Sequence, residues 1–228
     1  MSKYRNEQNF FITQTLNLPL DQKTYIKNLF PCYLGVLFIG KVSTSILEKL
    51  KFQIDLVFDS FFFDTRFIGE MKFVTKLYGI PSKEEFNLLN STLAKVNLYP
   101  TNTFYSVIKT QMSEKNLAIG LGLINLPIYS SNDEALLFLF GEANLKHNCA
   151  IVSTHNLLDY NKREIIENRI IKEAIHEIGH LILGLNHCFN DNCVMKFSAN
   201  TEEIDRKSNY LCEKCKSELE NIRTINNF

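Results

Sequence analysis

IHEIGHLILGLNHCFNDNCVMKF, residues 175–197, holds three of the chain's five histidines and two of its six cysteines. His176 and His180 stand four apart, so on a helix they share a face and can bind one ion together. The flanks predict that helix. REIIENRIIKEAIHEIGHLIL, 163–183, carries Ile165, Ile166, Ile170, Ile171, Ala174, Ile178, Leu181 and Ile182 as a broad apolar stripe. Glu177 sits beside such an ion but outside its ligand set, where it can take a proton from a metal-bound water. Gly184 can end the helix in a left-handed cap and turn the chain back, bringing His187 to the ion as third ligand. H-E-x-x-H arises by chance roughly once in tens of thousands of positions. The bland reading is a core helix with two satisfied histidines, against which Gly184, His187 and the cysteines weigh.

Cys188-x4-Cys193 and Cys212-x-x-Cys215 form two close pairs with 18 residues between them. Four thiolates so spaced suit a closed tetrahedral zinc that staples a small lobe too poor in apolar area to fold alone. The plainer alternative is reduced thiols packed as small hydrophobes, the reading given to Cys32 and Cys149 in their apolar strands. His187 and Cys188 would then serve different ions. His147 and His155 lie outside the metal spacing.

The whole chain bounds the rest. With 228 residues, 45% of them hydrophobic, it can bury a real core. Lys+Arg and Asp+Glu are both 25, so the net charge of zero gives no support for nucleic acid or an anionic membrane. No apolar run reaches membrane-spanning length, and MSKYRNEQNFFITQ does not read as a signal peptide. A cytoplasmic protein is the default expectation, in which short cysteine spacings mean metal more often than disulfide.

Periodicity predicts a helix near 20–29, a strand at 32–42, a helix at 43–52 and a strand at 53–63, a βαβ-like opening to an α/β sheet. Ser82 and Glu85 read as a capping box for a helix over 83–96. Residues 103–112 and 116–129 read as strands, and 134–144 with 148–154 as a strand pair. A long helix from about Asn161 runs into the histidines. Residues 1–180 read as a sheet-and-helix subdomain and 181–228 as a small one, together forming one domain.

At this point the stretch resembles the archaemetzincins, metzincin-type zinc metallopeptidases. Their motif runs H-E-x-x-H-x-x-G-x-x-H-C, then x4-C-x-Met, then a distant C-x-x-C. HEIGHLILGLNHC, Cys193-Val194-Met195 and Cys212-Glu213-Lys214-Cys215 match it in order. FGEA at 140–143, AIVST at 150–154, Phe197-Ser198 and Asp205 also look similar, and the specific resemblance covers about 134–217. One departure lies at the site: three residues, Leu181-Ile182-Leu183, stand where the family has two. Counted strictly from His180 the third ligand is Asn186. The downstream block is in register with His187.

The resemblance implies an α/β (α+β) zincin-like fold: a mixed twisted sheet, an active-site helix and a zinc-stapled C-terminal lobe. It implies two zinc ions per chain. His176, His180 and His187 would hold the catalytic one, and Cys188, Cys193, Cys212 and Cys215 the structural one. Glu177 would be general base and Met195 the Met-turn residue below the metal. Some metzincins place a Tyr two residues after that Met, where this chain has Phe197. The strand at 134–144 would be the antiparallel edge over the cleft, with Glu142 a rim or turn carboxylate. Peptide or protein would be the substrate and a monomer the favoured state. The alternative is a non-enzymatic two-zinc module that grips peptide without cutting. A zinc-ribbon-like nucleic-acid binder is a third reading, which the zero net charge opposes.

Overall fold

Continuous apolar runs become central strands when both faces are covered. CYLGVLFI does so: Cys32–Ile39 forms β1, buried at every position except Tyr33. The computed structural model describes residues 29–72, 82–89, 92–133, 135–158, 162–184 and 186–228. After β1 comes α1, Ile46–Val57, which buries Ile46, Leu50 and Ile54 at helical spacing. It returns the chain to β2, Phe62–Met71, parallel to β1. The βαβ opening is therefore present, but the strand expected at 53–63 is not. Residues 53–57 finish α1, because Gln53 and Ile54 continue the stripe begun at Ile46 and Leu50.

Two expectations are reversed in the middle of the chain. Residues 83–96 form no helix. Lys83–Leu89 is β3 and Thr92–Pro100 is β4, antiparallel with Leu89 opposite Thr92. Cross-strand pairing overrides the helix-forming composition of this segment. Residues 103–112 form no strand but lie within α2, Thr101–Glu114. The apparent alternation there is one helical face, Phe104, Tyr105, Ile108 and Met112. The single strand expected over 116–129 is two, β5 at Ile119–Ile124 and β6 at Ile128–Tyr129. The helix expected near 20–29 lies outside the described residues save its last position.

The remaining strands are β7, Gly141–Asn144, and β8, Cys149–Ser153, antiparallel as expected, though β7 is confined to the end of the predicted run. The main sheet has the order β2-β1-β5-β8-β7, parallel except for β7 at its edge; β3, β4 and β6 make a second, smaller sheet. Then comes α3, Arg163–Leu183, followed by α4, Thr201–Arg206, and α5, Glu213–Asn226. Alternation divides the core. Leu34, Val36, Phe38, Ala150 and Val152 pack towards α1 and α3. Leu37, Ile39, Cys149 and Ile151 pack with the α2 face. This is the mixed α/β sheet with helices that the sequence predicts, and it sets α3 under the edge strand. No helix among the described residues is long and apolar enough to cross a membrane.

Candidate metal centre

Helix α3 is buried all round from Ile170 to Ile182, so its two histidines have no water to solvate them. The structure satisfies one nitrogen of each. His176 Nδ1 lies 2.8 Å from the Val194 carbonyl oxygen, and His180 Nδ1 lies 2.9 Å from that of Gly184. A carbonyl only accepts, so both Nδ1 atoms carry the proton and both Nε2 atoms carry a lone pair. Those two Nε2 atoms face each other at 3.0 Å. Two lone pairs so placed repel unless a cation or a proton lies between them.

His187 joins them. Its ring centroid is 5.3 Å from that of His176 and 4.9 Å from that of His180. One nitrogen from each of the three rings falls within 4.8 Å of the others. The extra residue before Gly184 is taken up by a helix that runs to Leu183, and the turn follows at Gly184 with φ 92° and ψ 175°. That backbone region is open to glycine and strained for any other residue. The turn leaves Asn186 exposed and outside the cluster.

Burial shapes the protonation of every group here. It is the main cause that holds His176 well below the ordinary histidine range, aided by the Lys207 charge and by its two histidine neighbours. Burial and the nearness of His187 hold His180 at about 3, while burial and Lys207 hold His187 at about 4. Three neutral imidazoles with converging lone pairs form a donor set suited to zinc. Glu177 is 5% exposed. Burial, then the charges of Glu173 and Glu142, push its carboxyl well above the usual range, with Lys207 opposing. Its side chain lies against β7, where a Cβ on Gly141 would fall 2.6 Å from Glu177 Cγ and Oε1 and 2.8 Å from the Ile151 carbonyl oxygen. Glycine at 141 is what admits the carboxylate to this place.

The four cysteines meet beside this cluster, with Sγ atoms of Cys188 and Cys212 3.6 Å apart and those of Cys193 and Cys215 3.8 Å apart. These distances exclude disulfides, and all four sulfurs lie within 4.8 Å of one another. Burial pushes the Cys193 thiol up to about 11 and Cys215 higher still, with neighbouring thiols adding to the rise in Cys215. Burial also opposes ionisation of Cys212, but hydrogen bonds from the Cys215 N–H and from the other thiols outweigh it. Four thiols cannot all ionise in contact unless a cation sits among them, so this set too fits a divalent metal. Cys32 and Cys149 are buried apart from both clusters, each pushed up to about 12 by burial.

Segment 193–196 connects the two clusters. Met195 is buried below Gly179, on which a Cβ would overlap the methionine sulfur. Cys188 N–H donates to the Met195 carbonyl at 2.9 Å, and Val194 N–H to that of Tyr210 at 2.9 Å. Phe197 packs edge-on against His187, with centroids 5.2 Å apart and the ring about half exposed. Glu142 faces the other side of the sheet, where the Tyr105 hydroxyl donates to its Oε1 or its carbonyl oxygen, 2.9 and 3.0 Å away. It is a strand residue held by α2, neither rim nor turn. His147 stacks on Tyr105 and His155 contacts Asn156, both away from the clusters.

Sequence reasoning missed the ionic partners of α3. Arg169 forms a two-pronged pair with Asp205 at 2.8 and 2.6 Å. Lys172 donates to the Ile204 and Asp205 carbonyls, each at 2.9 Å. Glu173 pairs with Lys207 at 2.8 Å. The signal was available: charges at 169, 172 and 173 on a helix with no polar face need buried partners.

A family model for peptidase family M54 matches residues 94–221, more than half of the chain. A Pyrococcus furiosus protein named archaemetzincin is 31% identical over 187 residues, covering 80% of this chain and 89% of that one. The Archaeoglobus fulgidus archaemetzincin is 40% identical over 103 residues, covering 45% of this chain and 61% of that one, so here the match spans less than two thirds of the relative. The crystal structure of archaemetzincin from Methanopyrus kandleri superposes with a TM-score of 0.63 at 25% identity, covering 84% of this chain and 95% of that one. That of the Archaeoglobus fulgidus protein, complexed with malonate, gives 0.57 at 26% identity, covering 82% and 99%. By the family match and the Pyrococcus relative together, the chain belongs to peptidase family M54, the family of the archaemetzincins.

Proposed function

We propose that the chain is a zinc metallopeptidase that hydrolyses peptide bonds, with two zinc ions, one held by His176, His180 and His187 and one by Cys188, Cys193, Cys212 and Cys215. One observation carries this reading: one nitrogen of His187 lies within 4.8 Å of those of His176 and His180, which share their helix with the buried Glu177. Zinc at the histidines supplies a water of lowered pKa and a Lewis acid for the scissile carbonyl. The chain's own groups do the rest. Glu177 takes the proton of the attacking water and later delivers it to the leaving amine. Burial, then the charges of Glu173 and Glu142, favours its protonated form, which is the one that donates. His176 and His180 keep their Nε2 lone pairs aimed inward because Val194 and Gly184 hold the opposite nitrogens. Phe197 offers no hydroxyl to a developing oxyanion.

Strand β7 ends the main sheet next to Glu177, and an extended peptide can pair with such an edge by main-chain hydrogen bonds. The substrate is thus a peptide or an unstructured protein segment. In this reading the chain works as a cytoplasmic monomer without nucleic acid, and α3 closes a subdomain at residue 180 that residues 181–228 complete.

Elemental analysis and turnover of a fluorogenic peptide library on three proteins test the reading. Two zincs per chain are expected for the wild type and for Glu177→Gln, with turnover lost only in the latter. His187→Ala should fall towards one zinc. Turnover surviving in Glu177→Gln would remove the general-base role. Two zincs without any turnover in the wild type would leave a peptide-gripping module.

A further inference from the structure

The Lys207 side chain is 1% exposed, and its Nζ lies 2.8 Å from Glu173 Oε1, itself on a side chain 5% exposed, an ion pair by distance without the alignment of a hydrogen bond. The same ammonium donates to the Lys196 carbonyl at 3.3 Å. Glu173 is on α3, three residues before His176. Lys196 follows Met195, in the segment whose Val194 carbonyl holds His176 Nδ1. One cation therefore ties the metal-bearing helix to the turn that aims its first ligand. Its backbone is fixed too, since Lys207 N–H donates to the Glu203 carbonyl at the end of α4.

Stability alone does not account for this arrangement. A buried ion pair gains little over a well-packed apolar pair. Near a dication site a cation is moreover unfavourable by Coulomb's law. A cation kept where it opposes the metal is kept for its geometry.

We infer that Lys207 is a positioning residue: by bridging Glu173 and the Lys196 carbonyl it holds the Met195 turn against α3 and so fixes the His176 imidazole for metal. This rests on the reading of the three histidines as a metal site, but the anchoring has a readout of its own. The two effects of removing the charge have opposite signs. Loss of repulsion tightens metal binding. Loss of a supporting shell weakens it, typically about 10–100-fold.

The experiment compares wild type with Lys207→Met and Lys207→Arg, and with the neutral double variant Glu173→Gln/Lys207→Met in case the lone Glu173 charge unfolds the first. Histidine-selective nitrogen NMR of the proteins as purified follows the Nδ1–H protons of His176 and His180. Competition with a metal chelator follows zinc affinity. In the Met variants we expect the His176 Nδ1–H signal to be lost to exchange, that of His180 to persist, and zinc affinity at the histidines to fall about tenfold or more. Arginine should restore both in part. Retention of the His176 signal with unchanged or tighter zinc binding would overturn the inference. If the wild type holds no zinc at the histidines, the metal reading falls. The His176 signal then decides the anchoring by itself.

Discussion

Gly141 shows how little room the site has. A methyl group there would meet both Glu177 and the Ile151 carbonyl, and the carbonyl belongs to β8 and has nowhere to move. Gly141→Ala is expected to displace the Glu177 carboxylate and lower kcat by about tenfold or more, within the range over which misplaced catalytic groups cost rate. Zinc content should be unchanged, which steady-state kinetics beside elemental analysis will establish. A variant with full kcat would mean that the carboxylate does not need this seat. Residue identity made the site legible in advance: imidazoles and thiols at ligand spacing announce themselves because few other roles require that pattern. Glycine carries no such signature. Nothing in FGEA tells that position 141 will face a carboxylate, since the facing depends on how β7 settles over α3.

At the scale of elements, helix α3 docks α4 through the buried Ile204 and through polar contacts of Arg169 and Lys172. Arg169 is 7% exposed at its side chain and Asp205 is 38% exposed. Asp205→Ala takes the carboxylate from a buried guanidinium that keeps its bond to the Leu157 carbonyl, and is expected to destabilise by about 1–3 kcal/mol, less than breaking a fully buried pair because the aspartate is partly solvated. Urea unfolding midpoints measure this, and a change within error would mean that Arg169 finds another partner. The long helix itself was readable, since its apolar positions and Gly184 lie within one segment. The β3–β4 hairpin was not. Lys, Glu, Leu and Ala from 83 to 96 favour a helix locally, and only the pairing of the segment's two halves with each other overrules them. Residues 101–114 failed in the opposite way. Phe104, Tyr105 and Ile108 alternate loosely enough to imitate a strand, and packing beneath β5 and β8 settles the matter.

For the whole molecule, acid is the informative perturbation. In the metal-free protein His180 and His187 are held at about 4 or below against an unperturbed 6.5, so the fold binds fewer protons than the unfolded chain. Their contribution is present above pH 6.5 and is lost as pH falls through 4 towards 3. Glu167, held at about 2 by its hydrogen bonds to Lys49, Ser45 and Arg163, acts in the same direction lower down, between 4.5 and 2. Glu177 has the opposite sign, because its raised carboxyl takes up a proton more readily in the fold. Asp55, raised by burial, acts with Glu177, and His147, lowered by burial, acts with the other three histidines; with four histidines against two carboxyls, the urea midpoint of the metal-free protein should decrease as pH falls from 6.5 to 4. A flat profile would show that the histidines are solvated as freely folded as unfolded. Chelation should also act unevenly. In the two-zinc reading, hydrogen exchange should speed up across 186–228 and change little in β1, β5 and β8.

His187 and Cys188 are joined by a single peptide bond, yet their side chains face different clusters. In the two-zinc reading that bond makes assembly sequential. The thiolate site must close first, because only then does Cys188 carry its neighbour to the spot where the third imidazole is wanted. An ion arriving early at the histidines meets two donors and leaves again. Thermodynamic reciprocity then requires the reverse influence: filling the imidazole site raises the affinity of the sulfurs for their ion by the same factor. A zinc titration of the stripped chain should therefore fill its sites in a fixed order rather than at random.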